Sequence, residues 1–411
     1  MSKKLPDKRP DTKAVSDAHE PTSLMDPLLI SEARRNAAGL PDLALDLAQR
    51  SAGFRRSLPP NLVVSLATLV RTMNCYYSNL IEGHATHPVD IERALKNDYS
   101  REPKKRDLQL EAKAHIAVQE WIDTGGLKGH TANVDGIREI HRRFCEQLPA
   151  ELLLVEDPIT KRTAKVIPGE FRTRDVKVGQ HIAISPAAVP RFLRRYEEVY
   201  GNLGTSDSVI AAAAAHHRLV WIHPFADGNG RVARLLSHAM LLEKLDTAAI
   251  WSVARGLARN VVGYKAHLAA CDQTRRNDLD GRGNLSEENL TAFTQFFLRT
   301  CVDQITFMED LIQPERLRTR ILAWTDEEIR LGKLPPRSGA ILEAILYRGE
   351  VPRADMPAVV GTGDRHTRRI VAALLDKNIL TSDSERAPLR LAFPAALASR
   401  WLPGLFPEKA S

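Results

Sequence analysis

A short run that begins at His223 carries the residue types needed to hold a polyphosphate and move part of it. The run reads His-Pro-Phe-Ala-Asp-Gly-Asn-Gly-Arg, and a second arginine follows at Arg234. An imidazole accepts protons near neutral pH, because its unperturbed pKa lies close to that value. Guanidinium groups bind phosphate oxygens in pairs, and a carboxylate such as Asp227 suits a hard divalent cation. These residues therefore predict chemistry on a phosphorylated substrate.

The glycines of this run predict how its groups are positioned. Gly228 and Gly230 flank an asparagine, and glycine tolerates the positive φ of a tight turn beside an anion. The apolar residues that follow have helical spacing, which puts the turn at a helix N-terminus. Free N–H groups and the helix dipole favour phosphate there. A glycine turn before an ordinary helix would account for both glycines, but not for the surrounding His, Asp, Asn and Arg residues.

The whole run resembles the signature of the Fic family, His-x-Phe-x-(Asp/Glu)-Gly-Asn-Gly-Arg-x-x-Arg, with every fixed position present. The resemblance covers about residues 40–300. Members of this family transfer AMP from ATP to a protein hydroxyl and release pyrophosphate. The resemblance implies that His223 is the general base and that Asp227 holds a Mg²⁺ bridging the α- and β-phosphates. It further implies that the phosphates are bound by Gly228, Asn229, Gly230, Arg231 and Arg234.

A second motif lies upstream, at Ser78-Asn79-Leu80-Ile81-Glu82-Gly83. Ser78 and Glu82 are four residues apart, so a helix places them on one face, and Gly83 is typical of a helix end. The motif resembles the inhibitory (Ser/Thr)-x-x-x-Glu-(Gly/Asn) of self-inhibited Fic proteins. That resemblance implies that Glu82 pairs with Arg234 and blocks the γ-phosphate site. Without the downstream loop, a solvated glutamate at a helix end would be the simpler interpretation.

Alternating valine and polar residues bounded by glycine predict a short hairpin over residues 176–182. Its place before the active loop resembles the Fic flap, which holds the target by main-chain pairing and so tolerates varied side chains. An ordinary surface hairpin is the alternative. The flap residues included in the predicted ATP site are Val176, Lys177, Val178 and Gly179.

The adenine pocket is the least defined part of the site. Asn260 and Tyr264 lie four residues apart on the predicted helix that follows the active one, so they share a face. Tyr264 matches a recurrent family tyrosine whose ring could stack on the base. A tyrosine that packs between helices would leave the same pattern.

Composition indicates a folded protein of two or three domains, with 411 residues and 43% hydrophobic residues. The net charge of +7 permits contact with nucleic acid but does not require it. Four cysteines without metal-ligand spacing predict free buried thiols in a reducing compartment. No transmembrane run or signal-peptide core is present in the sequence, so the expected location is cytoplasmic, with no membrane contact.

Apolar periodicity predicts a mainly α fold: a helical Fic core with a small β-hairpin flap, followed by a C-terminal winged-helix-like domain. Predicted helices include 59–82, which carries the inhibitory motif, 231–245 after the active loop, and 251–271. The expected divisions are a disordered tail at 1–25, an N-terminal helical region with the inhibitory helix at 26–125, the catalytic core at 126–312, a linker helix at 313–336 and the last domain at 337–411.

The C-terminal domain is predicted from three helices at 337–348, 352–359 and 363–377, followed by two strands within 379–393. This order resembles a winged helix, and the third helix carries Arg365, Arg368 and Arg369 on an edge that could enter a major groove. Such modules also dock proteins. DNA is therefore an expected partner beside a protein surface.

These features favour a protein adenylyltransferase that uses ATP and Mg²⁺ on Ser, Thr or Tyr hydroxyls and is autoinhibited through Glu82. The target is another protein or the chain itself, and a homodimer is among the expected assemblies. Two alternatives stay open. The same residues suit removal of AMP, with Glu82 aligning a water, and the C-terminal domain suits a DNA-associated regulator whose Fic core senses nucleotide.

Overall fold

The computed structural model describes residues 15–84, 86–156 and 163–406, and over these it is mainly helical. The helices are α1 Glu32–Ala37, α2 Leu40–Arg56, α3 Pro60–Ile81, α4 Pro88–Leu95, α5 Pro103–Asp123, α6 Val134–Cys145, α7 Val189–Tyr200, α8 Thr205–Ile222, α9 Asn229–Lys244, α10 Val253–Arg259, α11 Val261–Cys271, α12 Glu287–Ile312, α13 Pro314–Arg330, α14 Ser338–Arg348, α15 Met356–Val360, α16 Asp364–Asp376 and α17 Ala398–Trp401. The strands are β1 Leu154–Glu156, β2 Thr163–Lys165, β3 Lys177–Val178, β4 His181–Ile182, β5 Glu350–Val351, β6 Leu380–Thr381 and β7 Leu389–Leu391.

Helix α8 lies at the centre of the core, packed against α9, α12, α7 and α2. The five consecutive alanines at 211–215 are all buried, and their small side chains let the neighbouring helices approach closely. Nearly every residue of α8 from Ser208 to Ile222 is buried, as expected for a helix in this interior position. The α8–α9 pair holds the loop between them, residues 223–228, against the core.

Helix α3 forms as predicted, from Pro60 to Ile81, and the predicted inhibitory motif lies at its end. Proline suits the first turn, where its missing N–H has no partner to lose. After the last helical residue, Gly83 adopts φ +85°, a conformation that glycine takes without strain. Ser78 is fully buried, so this end of the helix is packed into the protein.

The hairpin predicted over 176–182 is confirmed, with Lys177 opposite Ile182 and Val178 opposite His181. A second antiparallel hairpin, β1–β2, precedes it and was not predicted. Its strands have only three residues each, with an exposed residue at either end, so the sequence shows little apolar alternation there. The two hairpins lie on either side of one groove, described below.

The single helix predicted over 251–271 is wrong, because the chain breaks at Asn260 between α10 and α11. Asn260 has φ −128° and ψ 53°, outside the helical region, and its side chain accepts a hydrogen bond from the N–H of Gly263. Asparagine competes well for backbone groups and is a preferred N-cap. The cap therefore starts a new helix, α11.

The last part of the chain contains α14, α15 and α16 and a three-stranded antiparallel sheet in the order β5-β7-β6. The three helices and the strands β6 and β7 lie where they were predicted, while β5 was not predicted. The order agrees with a winged helix, which stays a prediction at that level of detail. A linker helix was expected at 313–336, and α13 lies within it.

At the N-terminus, the structure differs from the expected disordered tail. Residues 1–14 lie outside the described part of the chain, whereas residues 15–25 pack against α7 and the segment before it. The Glu20 carboxylate accepts hydrogen bonds from the N–H and Oγ of Ser185, Arg191 pairs with Asp17, and Met25 is fully buried. In the described residues, no helix is both long and apolar enough to cross a membrane.

Candidate active site

The loop from His223 to Gly228 is held rigidly by its own residues. Phe225 is fully buried and stacks on the His141 ring, with centroids 3.8 Å apart. The Asn229 side chain accepts from the N–H of Phe225 and donates to its carbonyl, both at 2.9 Å. The amide of Asn229 therefore closes the loop, and its side chain is occupied there. Any phosphate contact by Asn229 would have to come from its main chain.

Arg172 braces the same loop from outside and was missed in the sequence. It is buried, and its Nε donates to the His223 carbonyl at 2.7 Å, while its main-chain N–H donates to the Pro224 carbonyl at 2.9 Å. Its other guanidinium nitrogens donate to the carbonyls of Arg174 and Ile184. One side chain thus joins the flap segment to the loop. A buried arginine is rare enough to suggest a role once seen, but nothing in the sequence marks it.

His223 is poised to accept a proton. Burial lowers its pKa to about 4, so the imidazole is neutral at physiological pH. Its Nδ1 lies 3.3 Å from the Val220 carbonyl, which can only accept a hydrogen bond. The proton of the neutral ring is therefore assigned to Nδ1, and the lone pair to Nε2. This is the state that a general base requires.

A groove of about 470 Å³ runs between the two hairpins and ends at His223. The flap residues Val176, Lys177 and Val178 line it together with His223, whereas Gly179 lies at the hairpin turn with φ +62°. The groove brings the predicted flap and the predicted base into one site. Its apolar lining includes Val155, Ala164, Ile167, Phe171, Val176, Val178, Ile182 and Ala226.

On the other side of the loop, helix α9 begins directly after Gly228, whose φ is +79°. Arg231 lies in the first turn and donates to Glu111 at 3.0 Å and to Asp227 at 3.3 Å. Its guanidinium also lies over the Phe144 ring, 4.7 Å from the centroid. Glu111, on α5, was not singled out in the sequence, because nothing local connects it to the loop.

Arg234, one turn further, contacts the motif at the end of α3. Its Nε donates to Ser78 Oγ at 2.9 Å and its Nη2 donates to Glu82 Oε1 at 2.6 Å. Burial by itself would raise the pKa of Glu82, but the charge and hydrogen bond of Arg234 outweigh it and lower that pKa below its usual value. The pair is therefore ionised at neutral pH.

Glu82 also lies directly against the glycine turn. A Cβ placed on Gly230 would come within 2.6 Å of Glu82 Oε1. The missing side chain at Gly230 is what lets the carboxylate reach this position. Glu82 therefore lies at the helix N-terminus where the sequence predicts phosphate.

The predicted adenine-pocket residues have other partners here. Tyr264 is buried and its hydroxyl lies 2.7 Å from His216 Nε2, inside the helical core. Asn260 caps α11 as described above. The Tyr264 hydroxyl is thus paired inside the core, and the Asn260 side-chain oxygen is used by the cap. The role of both residues in nucleotide binding stays a prediction.

The residues around the loop fit a Mg²⁺ that is held mostly by substrate oxygens. In the described ranges, no three His, Cys, Asp or Glu side chains form a metal-binding group. Asp227 is about half exposed at the mouth of the turn, so one carboxylate is available. One carboxylate with phosphates and water is the coordination that Mg²⁺ commonly adopts in nucleotide sites.

The chain is similar to known proteins in sequence and in fold. Residues 131–241 match the sequence model of the Fic/DOC family. The chain is 29% identical over 223 residues to protein adenylyltransferase Fic of Drosophila erecta, covering 52% of this chain and 42% of that protein. It is 30% identical over 169 residues to the Drosophila melanogaster protein of the same name, covering 41% of this chain and 31% of that protein.

The chain thus spans less than half the length of these curated relatives. Among solved structures, Fic-1 (residues 134–508) of C. elegans superposes with a TM-score of 0.51 at 19% identity, covering 67% of this chain and 74% of that one, which supports the fold. The family match includes His223, Asp227, Arg231 and Arg234. The similarity to the Fic/DOC family therefore covers residues 131–241, the part of the chain that carries the loop.

Proposed function

We propose that this protein is an adenylyltransferase that moves AMP from ATP to a hydroxyl group of a protein. The observation that carries the proposal is the position of His223. This neutral base lies between a groove walled by two hairpins and a glycine turn with two arginines. A peptide hydroxyl could approach from the groove and a polyphosphate from the turn. The curated relatives named as protein adenylyltransferases support the same reaction.

In the proposed reaction, His223 Nε2 takes the proton of the target hydroxyl. The hydroxyl oxygen then bonds to the α-phosphorus, and the bond from that phosphorus to the bridging oxygen breaks, so pyrophosphate leaves. Arg172 keeps the base in place through the His223 carbonyl. Asp227 would hold a Mg²⁺, which supplies positive charge to the phosphates when bound.

The target segment is proposed to lie along the β3–β4 hairpin in an extended conformation. Pairing through the main chain would accept Ser, Thr or Tyr with varied neighbours. The target is a separate protein or a segment of the chain itself. A homodimer and a cytoplasmic location stay predictions.

Glu82 is proposed to act as a brake on this reaction. Its carboxylate accepts a hydrogen bond from Nη2 of Arg234, a donor that a γ-phosphate would need. The same carboxylate lies against Gly230 at the turn. A negative charge there also repels the phosphates. The Glu82 side chain is 39% exposed whereas that of Arg234 is 4% exposed, so Glu82 lies on the solvent side of the pair. Glu82 can therefore move away while Arg234 stays in place.

Removal of AMP is the second function that the site suits. Glu82 is an ionised carboxylate held at the turn, where it could align a water against an AMP-modified side chain. The reaction would need Glu82, whereas AMP transfer would be slowed by it. Incubation of an AMP-modified target with wild type and with Glu82→Gly separates the two.

The proposed function and its brake are tested together with radiolabelled ATP. We expect Glu82→Gly to incorporate much more AMP than wild type, because Arg234 is released. His223→Ala in that background should lower incorporation by roughly 10²–10⁴, the usual contribution of a general base. Arg234→Ala should not be rescued by Glu82→Gly, because the freed arginine is what binds the γ-phosphate.

Ser78→Ala should have a smaller effect than Glu82→Gly, because it removes the hydroxyl that accepts from Nε of Arg234 but keeps the main-chain carbonyl that accepts from Nη2. Glu120→Ala is the control for loss of an acidic ion-pair partner, since Glu120 pairs with Arg71 on an exposed surface. Equal rates of AMP incorporation by wild type and Glu82→Gly would contradict the inhibitory role of Glu82 and would favour the AMP-removal function. No incorporation by any variant, with intact ATP, would reject AMP transfer.

A further inference from the structure

We infer that Glu111 is a positioning residue that holds the first motif arginine, Arg231, in the orientation that binds phosphate. The inference rests on the proposed function, in which the turn after Gly228 binds a polyphosphate. Glu111 lies on α5, outside the family match at 131–241, and its Oε2 accepts from Arg231 Nη1 at 3.0 Å. Glu111 is not part of the signature run from His223 to Arg234.

Arg231 is held on three sides. Glu111 accepts a hydrogen bond from Nη1, and Asp227 accepts one from Nη2 at 3.3 Å. The Phe144 ring covers one face of the guanidinium. Only 11% of the Arg231 side chain is exposed. Arginine normally loses much rotamer freedom when it binds a ligand, so an arginine that is already fixed binds phosphate at lower entropic cost.

The positions of the two glutamates relative to the glycine turn separate their roles. Glu82 is 39% exposed, and its Oε1 lies 2.6 Å from the place of a Cβ on Gly230, at the turn where phosphate would arrive. Glu111 is 15% exposed, and none of its atoms is among those nearest to a Cβ on Gly228 or Gly230. A carboxylate that holds an arginine without occupying the turn orients that arginine, whereas a carboxylate at the turn competes with the ligand. Glu111 therefore supports phosphate binding, while Glu82 opposes it.

The Glu111 carboxylate also balances charge in a crowded region. Arg231 and Arg234 lie one turn apart on α9, and His84 Nδ1 lies 3.8 Å from Glu111 Oε2. Without Glu111, the buried guanidinium of Arg231 would lose its best acceptor and would turn toward Asp227 or solvent.

The test measures binding of Mg·ATP by calorimetry in the full chain carrying Glu82→Gly and His223→Ala, which cannot modify itself. Glu111→Ala should raise the dissociation constant for ATP by about tenfold or more. Glu111→Gln should raise it less, because the amide oxygen still accepts from Nη1. Binding of AMP, which lacks the outer phosphates, should change much less than binding of ATP.

Glu120→Ala, on the same helix, is the matched control and should leave the dissociation constant unchanged. In the active Glu82→Gly background, Glu111→Gln should raise KM for ATP more than it lowers kcat. If Glu111→Ala lowers thermal stability, the conservative Glu111→Gln variant still decides the question, because it keeps the shape of the side chain.

Unchanged ATP affinity in the folded Glu111→Gln and Glu111→Ala variants would overturn the inference. Tighter ATP binding would also overturn it and would make Glu111 a second brake. The measurements distinguish failure of the proposed AMP transfer from failure of the positioning role of Glu111. If Glu82→Gly transfers no AMP but ATP affinity depends on Glu111, the proposed function falls and the positioning role stands.

Discussion

At the scale of single residues, the site combines one neutral base with two arginines that each have a carboxylate partner. His223 is kept neutral by burial, which lowers its pKa to about 4, while Arg231 and Arg234 each form an ion pair with a carboxylate. Glu111 and Glu82 reach these arginines from α5 and α3, and Gly230 leaves room for Glu82. Small changes of charge at these positions should therefore have large effects on nucleotide use.

The pKa of His223 predicts the pH dependence of AMP transfer. The base works only when neutral, so the rate should fall as the pH falls through its pKa. With that pKa lowered to about 4, kcat/KM of Glu82→Gly should stay nearly constant from pH 8 down to about pH 5. An acid limb centred near the usual histidine value of 6.5 would show that the ring is solvated in the working enzyme.

Asp227 is expected to set the dependence on Mg²⁺. In the Glu82→Gly background, Asp227→Ala should lose most AMP incorporation, and excess Mg²⁺ should restore only part of it. Asp227 also accepts from Arg231 at 3.3 Å, so Asp227→Asn is the control that keeps an acceptor while it removes the charge. An unchanged Mg²⁺ concentration for half-maximal activity in both variants would give the carboxylate a structural role only.

At the scale of elements, three segments far apart in the chain meet at the turn before α9. Helix α3 brings Ser78 and Glu82, helix α5 brings Glu111, and the segment before β3 brings Arg172. Each segment holds a different part of the loop or its arginines. A ligand that moves α3 would therefore act on the phosphate site without touching the groove beside His223.

Helix α16 has a basic edge, and we expect this edge to contact DNA if the C-terminal region is a DNA-binding module. Arg365, Arg368 and Arg369 are all exposed on it. If DNA binds there, affinity should fall steeply with salt, because bound phosphates release counterions. The double variant Arg368→Glu, Arg369→Glu should weaken binding of a short duplex and reduce the salt dependence, as measured by fluorescence anisotropy.

Arg348→Glu is the control for that experiment, since it changes the charge of an exposed residue on α14 instead. DNA binding that is absent at low salt would leave a protein surface as the expected role of α16. Binding that the double variant does not change would place DNA elsewhere on the chain.

At the scale of the whole molecule, the C-terminal part packs directly on the helix that carries the proposed brake. The hydroxyl of Tyr77 donates to the Leu405 carbonyl at 2.8 Å, and Arg255 donates to the Gly404 carbonyl at 3.0 Å. The Tyr76 and Phe406 rings meet edge to face, with centroids 5.4 Å apart. Tyr76 and Tyr77 lie one or two residues before Ser78, so the end of the described chain helps to hold α3 in place.

The interior also predicts how stability depends on pH. Burial lowers the pKa of His115 and His216 to about 3, and that of His141 and His217 to about 4, from a usual 6.5. The unfolded state therefore gains protons below about pH 6.5 while the folded state does not. Stability should be fully present above that pH and should fall as the pH drops toward 4, by roughly 1 kcal/mol per histidine per pH unit.

Thermal unfolding between pH 7.5 and pH 4.5 checks this expectation. His115→Gln should reduce the pH dependence by about one proton. Gln119→Ala, one turn along the same helix, changes no titrating group and should leave the pH dependence unchanged even if it lowers the midpoint. A midpoint that is constant across this range would mean that the histidines are protonated in the folded protein.

The sequence by itself determined the loop chemistry, because the signature residues are contiguous and each has a local reason for its place. It also determined most helices, the β3–β4 hairpin and the end of α3 at Gly83, since apolar periodicity and glycine act over a few residues. Only the tertiary structure decided which groups meet the arginines and the base. Arg172 is 51 residues from His223 along the chain, and Glu111 is 120 residues from Arg231.

The same limit explains the predictions that differ from the structure. The break at Asn260 depends on the hydrogen bond that its side chain accepts from the N–H of Gly263. The ordered structure of residues 15–25 depends on contacts with Ser185 and Arg191, far along the chain. Tyr264 is buried because His216 lies opposite it in the folded core. A periodic pattern shows that a face is apolar, but it does not show which other face will cover it. Packing between distant segments makes that choice, and it is made only when the chain folds.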